Sequence, residues 1–282
     1  MAARRHHLPH LTLISEVPMH KALTIAGSDS GGGAGIQADL KTFAALQVYG
    51  TCVITAVTAQ NTLGVQGTCD LPAEFVGRQL DAVLSDIGTD AAKTGMLANA
   101  GIVEVVAARV RQYGLKKLVI DPVMVAKSGD PLLAPEACRA LKEKLLPLAL
   151  VVTPNLDEAG VLTGRRVTNE EGMLAAAREI YDLGVPYVLV KGGHLAAAAT
   201  DILFDGREVR RFTAPRQESR HTHGTGCTLS AAIAALLARG LPVPEAIAGA
   251  KEYIQKAISQ GQTIGKGYGP VHHMASYYSW GD

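Results

Sequence analysis

Charge of one sign is what the sequence most plainly lacks: 27 lysines and arginines stand against 26 aspartates and glutamates, a formal net charge of +1. So neutral a chain gives no electrostatic footing to nucleic acid or to an anionic membrane, and neither is expected as a partner. Cysteine is scarce too. Cys52, Cys69, Cys138 and Cys227 include no C-x-x-C pair, so spacing suggests neither a zinc knuckle nor a disulfide framework, and a reducing cytoplasm fits best. No apolar run approaches the ~20 residues of a membrane span, and Leu11 to Ile14, broken by Thr12, is shorter than a signal-peptide core of about 7 to 15 residues. A Walker loop is also missing. The nearest match, "GQTIGKG" from Gly261 to Gly267, is one residue short and lacks the hydroxyl that would hold magnesium. His272 and His273 are adjacent rather than a helical turn apart, the wrong spacing for a metal pair.

What is present favours a compact fold. Hydrophobic residues make up 48% of 282, with 30 glycines, enough apolar surface to offset chain entropy. From Lys21 onward short β-rich runs alternate with amphipathic stretches. "KALTIAG" and "TCVITAVTAQ" read as strands around a helix marked by Ile36, Leu40 and Phe43. Val76, Leu80, Val83, Leu84 and Ile87 keep a helical stripe behind a cap at Asp70. "AAKTGML", "KKLVID", "ALVVT" and "PYVLVKGG" are further strands, separated by helices over Asn99 to Tyr113, Pro135 to Leu146 and Asn169 to Leu183. Strands divided by helices pair in parallel, so the expected fold class is α/β: a doubly wound, mostly parallel sheet flanked by helices. Asp205-Gly206 predicts an edge hairpin. Residues 19–282 read as one domain; residues 1–18 are either a flexible arm or a stretch upstream of a start at Met19.

Chemistry gathers where strands end, since ligands of open α/β sheets bind beyond the carboxyl ends. Gly224, Thr225, Gly226 and Cys227 precede an apolar helix, where bare backbone amides and the helix dipole make an anion site; a plain tight turn is the competing reading. Gly33, Gly35 and Ala38 satisfy G-x-G-x-x-A, but no acidic residue lies between Lys41 and Cys69 to hold a ribose, which disfavours a nicotinamide cofactor. Asp39 points toward the apolar side of its helix, so either a partner side chain or a ligand must satisfy it. Gln60 offers an acceptor beside two donors, the pattern that reads an aminopyrimidine edge. Asn155 and Glu158 suit magnesium-bound water and phosphate, or equally a capping box. Lys191 is a candidate phosphate counter-charge, and Asp121 either joins the site or caps the turn at Pro122.

Taken in order, "AGSDSGGGAGIQADLKTF", "VITAVTAQNT", "KTGML", "KSGDPLL", "TPNLDEA", "VKGGH", "HGTGCTLSAA" and "GKGYGPVHH" closely resemble the hydroxymethylpyrimidine/phosphomethylpyrimidine kinases, within the ribokinase-like superfamily. The resemblance implies a ribokinase-like fold and ATP- and Mg2+-dependent phosphorylation of 4-amino-5-hydroxymethyl-2-methylpyrimidine, then of its monophosphate, for thiamine biosynthesis. It implies that Gln60 binds the pyrimidine with Asp39, Ala34 and Met96 around it. Asn155, with Asp121, and Glu158 would order phosphate and magnesium, Glu158 through water; Lys191 would face the nucleotide phosphates. Gly224 to Cys227 would form the anion hole. It further implies a homodimer, and pyridoxine or pyridoxal kinases share these motifs. A free thiol, with a pKa of about 8.5, is mostly protonated at neutral pH. Cys227 is therefore read as a substrate-orienting weak base: either the helix N-terminus lowers its pKa, or a base matters little in a loose phosphoryl transfer.

Overall fold

The computed structural model describes residues 19–124, 134–193, 199–215, 217 and 219–279. Residues 1–18 and the "KSGDPLL" stretch at 127–133 lie outside them, as does the last residue of "VKGGH".

Nine strands form one sheet: β1 Lys21–Asp29, β2 Tyr49–Asn61, β3 Gly64–Asp70, β4 Ala91–Thr94, β5 Leu118–Ile120, β6 Val151–Val152, β7 Tyr187–Val190, β8 Ala199–Phe204 and β9 Val209–Ala214. Their order is β3-β2-β1-β4-β5-β6-β7-β8-β9, parallel from β2 to β7, with β3 antiparallel at one edge and the β8–β9 hairpin at the other. The central strands are buried on both faces, as parallel strands under two helical layers must be. One layer holds α2 Ala73–Asp86, α3 Ala100–Gln112, α4 Pro135–Ala140, α5 Leu156–Thr163 and α6 Glu170–Tyr181. The other holds α1 Gly35–Ala45, α7 Thr225–Ala238 and α8 Val243–Ser259. Every residue of α7 from Thr228 to Ala238 is buried, so this helix is apolar all round because it lies inside, and its alanines let it sit close against the sheet.

Three details depart from the sequence reading. Strand β3 goes unannounced because it is an exposed edge with two glycines and no inward apolar alternation. Asp70 ends that strand and accepts a hydrogen bond from Asn99 Nδ2 at 3.0 Å instead of capping α2, whose first turn follows Pro72. The helix read over Pro135 to Leu146 is regular only to Ala140, then widens into a π turn and closes in a 3-10 turn at Pro147, which has no amide hydrogen to continue the ladder.

The chain leaves β1 toward β2 on one side, while β4 lies on the other. That reversal of winding direction leaves a crevice beyond the ends of β1 and β4.

Candidate active site

A cleft of about 730 Å³ opens at this crevice and extends past β5, β6 and β7 to the edge hairpin. Residues drawn from sequence positions 34, 60, 96, 121, 155, 158, 191 and 224–227 all reach its wall. Each sits at the carboxyl end of a strand or on the loop or first helical turn after one, which explains how such distant positions converge.

The anion end is built by α7. Gly224 is its N-cap with φ +77°, and a Cβ there would stand 1.8 Å from the Gly33 carbonyl oxygen, so only glycine lets the two glycine-rich loops touch. The Thr225 hydroxyl turns inward to the Thr222 carbonyl at 2.7 Å. First-turn amides such as those of Gly226 and Cys227 have no intrahelical acceptor, and both residues line the cleft. At Gly226 an added Cβ would come within 3.5 Å of Lys191 Nζ and 3.6 Å of Asp121 Oδ2; the missing side chain keeps the gap between the first turn of α7 and this ion pair open.

Lys191 Nζ bonds Asp121 Oδ1 at 2.8 Å, and Thr153 and Ser230 donate to the same carboxylate at 3.2 and 3.3 Å. Burial works against the charge on Lys191, but Asp121 and then Glu158 outweigh it, and its pKa is raised. Asp121 is buried as well, yet Lys191 and then Lys93 hold its carboxyl below the usual range. Asn155 and Glu158 form the capping box: Asn155 Oδ1 accepts from the Glu158 amide at 2.9 Å and Glu158 Oε2 from the Asn155 amide at 2.8 Å. Capping and site are therefore compatible, since the box uses the Asn155 side-chain oxygen and backbone amide and does not use the side-chain Nδ2. Burial, opposed by Lys191 and reinforced by Asp121, pushes Glu158 up to about 7. Because its ordinary value is 4.5, this group favours folding at acid pH, and the contribution fades as pH rises from about 4.5 through about 7. In the absence of divalent ions, Glu158→Gln should lose less stability than the parent between pH 5.5 and pH 8 in urea titrations; equal losses would contradict this assignment.

Asp39 is a correction. It does not reach the cleft: it is fully buried beneath the cleft floor, with Lys93 Nζ at 3.0 and 3.2 Å and the Thr24 hydroxyl at 2.6 Å. Burial raises the Asp39 pKa against the pull of Lys93 and Thr24. For Lys93, burial is outweighed by Asp39, with Cys227 and Asp121 adding to it, so the ammonium stays charged. Sequence reasoning passed over Lys93 as part of a strand. The available signal was a lysine inside "AAKT" matched by an inward aspartate on the first helix.

Of the two alternatives for Cys227, a pKa lowered by the helix N-terminus is the one the structure opposes. Burial pushes the thiol up to about 11, although Lys93 and the Gly35 amide favour the thiolate. At neutral pH it is protonated.

At the other end of the cleft, Gln60 closes β2 beside Ala34, the N-cap residue of α1, and Met96, which follows β4. Asp29 and His223, which sequence analysis did not assign, lie here and bond each other at 3.0 Å. Toward the hairpin, Asp201 accepts from the Gly192 amide at 2.9 Å and from Lys251 at 2.5 Å.

A family model described as phosphomethylpyrimidine kinase matches residues 29–272. The sequence is 56% identical over 261 residues to the hydroxymethylpyrimidine/phosphomethylpyrimidine kinase of Rhizobium meliloti, covering 91% of this chain and 98% of that one. It is 54% identical over 258 residues to the thiamine biosynthesis bifunctional protein ThiED of Geobacter sulfurreducens, covering 91% of this chain but only 53% of that protein's length. Among solved structures, an ADP complex of Bacillus subtilis pyridoxal kinase superposes with a TM-score of 0.86 at 44% identity, covering 92% of this chain and 99% of that one. A phosphomethylpyrimidine kinase from Clostridium difficile gives 0.77 at 45%, covering 85% and 99%.

Proposed function

The chain belongs to the phosphomethylpyrimidine kinase family, and on that premise we propose that it transfers the γ-phosphoryl group of ATP to the hydroxymethyl group of 4-amino-5-hydroxymethyl-2-methylpyrimidine, and then to the resulting monophosphate, in thiamine biosynthesis. One observation carries the reading: the first turn of α7, with Gly226 and Cys227, lines one cleft together with Lys191, while Gln60 lines the other end of it. Gln60 orients the pyrimidine edge, with Ala34 and Met96 beside it. The amides of Gly226 and Cys227 and the Lys191 ammonium face the transferred group, whose spread negative charge is what a loose phosphoryl transfer most needs neutralised. Asn155 Nδ2 and the Lys191–Asp121 pair position the phosphates.

Magnesium fits the donor set. Two buried carboxylates, Asp121 and Glu158, both act on the Lys191 ammonium, and Asp121 adds to the burial that raises the Glu158 pKa, so carboxylate oxygens gather where a cation would relieve them. Glu158 would hold the ion through water, as Mg2+ prefers. Bound there, it would supply further neutralisation of phosphate charge.

Cys227 orients the acceptor alcohol and does not take its proton, because its thiol is protonated at working pH. Iodoacetamide labelling of Cys227 should therefore rise with pH toward a midpoint of about 11, and a midpoint below 8 would restore the base. Cys227→Ala should cost about tenfold in kcat/KM, the scale of one lost orienting contact and below the roughly 10²- to 10⁴-fold that loss of a general base would cost.

Residues 19–282 are read as one kinase domain, working as a homodimer, for which light scattering is the test. No helix among the described residues is long and apolar enough to cross a membrane. Pyridoxal is the competing substrate, favoured by the close superposition on a pyridoxal kinase. A coupled ADP-release assay on the pyrimidine alcohol, its monophosphate and pyridoxal decides. Turnover of both pyrimidines at a higher kcat/KM than pyridoxal is expected, and turnover of pyridoxal alone would overturn the reading.

A further inference from the structure

We infer that His223, held by Asp29, fixes which end of the Gln60 amide donates and which accepts, and so lets the cleft tell an aminopyrimidine alcohol from a hydroxypyridine one. The second half rests on the proposed function; the first does not.

Asp29 ends β1 and receives four N–H groups: Gly31 on Oδ1 at 2.7 Å, and Gly33, Ala34 and His223 Nε2 on Oδ2 at 3.0, 2.8 and 3.0 Å. Burial opposes its charge, but His223 and then the Ala34 and Gly31 amides outweigh it and hold the carboxyl below the usual range. A carboxylate accepts and cannot donate, so His223 Nε2 must carry hydrogen whether the ring is neutral or cationic. The ring is also fixed in place. His223 N–H donates to the Gly269 carbonyl at 3.1 Å, and a Cβ on Gly33 would lie 2.4 Å from His223 Cδ2.

Gln60 spans the gap between this nitrogen and Thr58, with its Nε2 3.3 Å from His223 Nε2 and its Oε1 3.1 Å from Thr58 Oγ1. In that sense two N–H groups confront each other. The one Thr58 proton is also wanted twice, by Gln60 and by the Ser28 carbonyl at 3.0 Å. Turning the amide over ends the N–H to N–H confrontation and frees Thr58: Oε1 shares the one His223 Nε2 hydrogen with Asp29 in a three-centre bond, Nε2 donates to Thr58, and Thr58 keeps its proton for Ser28. Amide orientation is decided by such a network and by nothing else in the side chain's shape. With both neighbours committed, Gln60 has a single working orientation. Its remaining N–H and lone pair then present one donor–acceptor order, which an amino group beside a ring nitrogen matches in full, whereas a 3-hydroxypyridine has no ring nitrogen next to its hydroxyl-bearing carbon and meets only one of the two.

Long-range 1H–15N NMR of the intact protein at pH 8 should find the His223 proton on Nε2; a proton on Nδ1 alone overturns the inference. In kinetics, His223→Leu should raise KM for the pyrimidine alcohol about tenfold relative to KM for pyridoxal, the usual consequence of losing one oriented hydrogen bond. His223→Gln, which keeps a donor toward Asp29, should recover at least half of that change on a logarithmic scale. A folded His223→Leu protein with an unchanged KM ratio, or with both KM values moved equally, would sink the specificity role. Should His223→Leu not fold, the NMR tautomer and the His223→Gln ratio decide alone. If the parent turns over neither alcohol, the proposed function fails while the tautomer measurement still stands.

Discussion

Lys93→Met should remove about 3–5 kcal/mol of folding stability, the cost of leaving one charge of a buried pair without its partner. Lys93 and Asp39 are both wholly shielded from solvent, and only the Thr24 hydroxyl would remain on the carboxylate. Against a total of about 5–15 kcal/mol for a typical domain, that is a large share. The loss also carries a pH signature. The Asp39 pKa is already raised by burial and loses its chief opposing charge in the variant. A carboxyl raised above its unfolded value favours folding at low pH, and this contribution is lost as pH rises through the folded pKa, so the defect should shrink at pH 5 and widen at pH 8. Urea unfolding at the two pH values measures it. The double variant Lys93→Met/Asp39→Leu, which buries no lone charge, should recover most of the loss; a single variant within about 1 kcal/mol of the parent would refute the ion-pair account.

Lys191→Met should lower kcat about 10²- to 10³-fold, the scale seen when one group aimed at transition-state charge is removed. Its ammonium stands 3.5 Å from where a Gly226 side chain would be, so it lies across a short gap from the first turn of α7. The variant also strips Asp121 of its nearest counter-charge, so circular dichroism must first establish folding. Steady-state kinetics at saturating nucleotide then give the effect on turnover. Lys191→Arg should retain more activity than Lys191→Met, because charge is kept while its compact shape is lost. A Lys191→Met enzyme within tenfold of the parent would remove Lys191 from the transfer step.

Much was legible in the sequence because periodicity and punctuation are local. Alternating strand and helix patterns gave the parallel sheet, and Asp205-Gly206 gave the edge hairpin. Glycines before an apolar helix marked the mouth of α7, since few other residues leave amides so open. Asn155 and Glu158 were readable both as a cap and as site residues, and the geometry accommodates both.

Tertiary structure alone decided the rest, because it concerns environment. Asp39 was visible as an inward carboxylate, but only the pairing of β4, the third strand after β1 in the chain, beside β1 brought Lys93 to it. Cys227 sits at a helix start, where local rules lower a thiol pKa, yet burial raises it because desolvation depends on everything packed around the sulfur. Asp29 and His223 are 194 residues apart, and no spacing rule joins them; they meet because β1 and the loop before α7 end at one crevice. Sequence settles which groups a chain can offer, through patterns a few residues long. Which charges are left alone, and which neighbours decide a proton's place, follows from the packing of the whole sheet and its two helical layers.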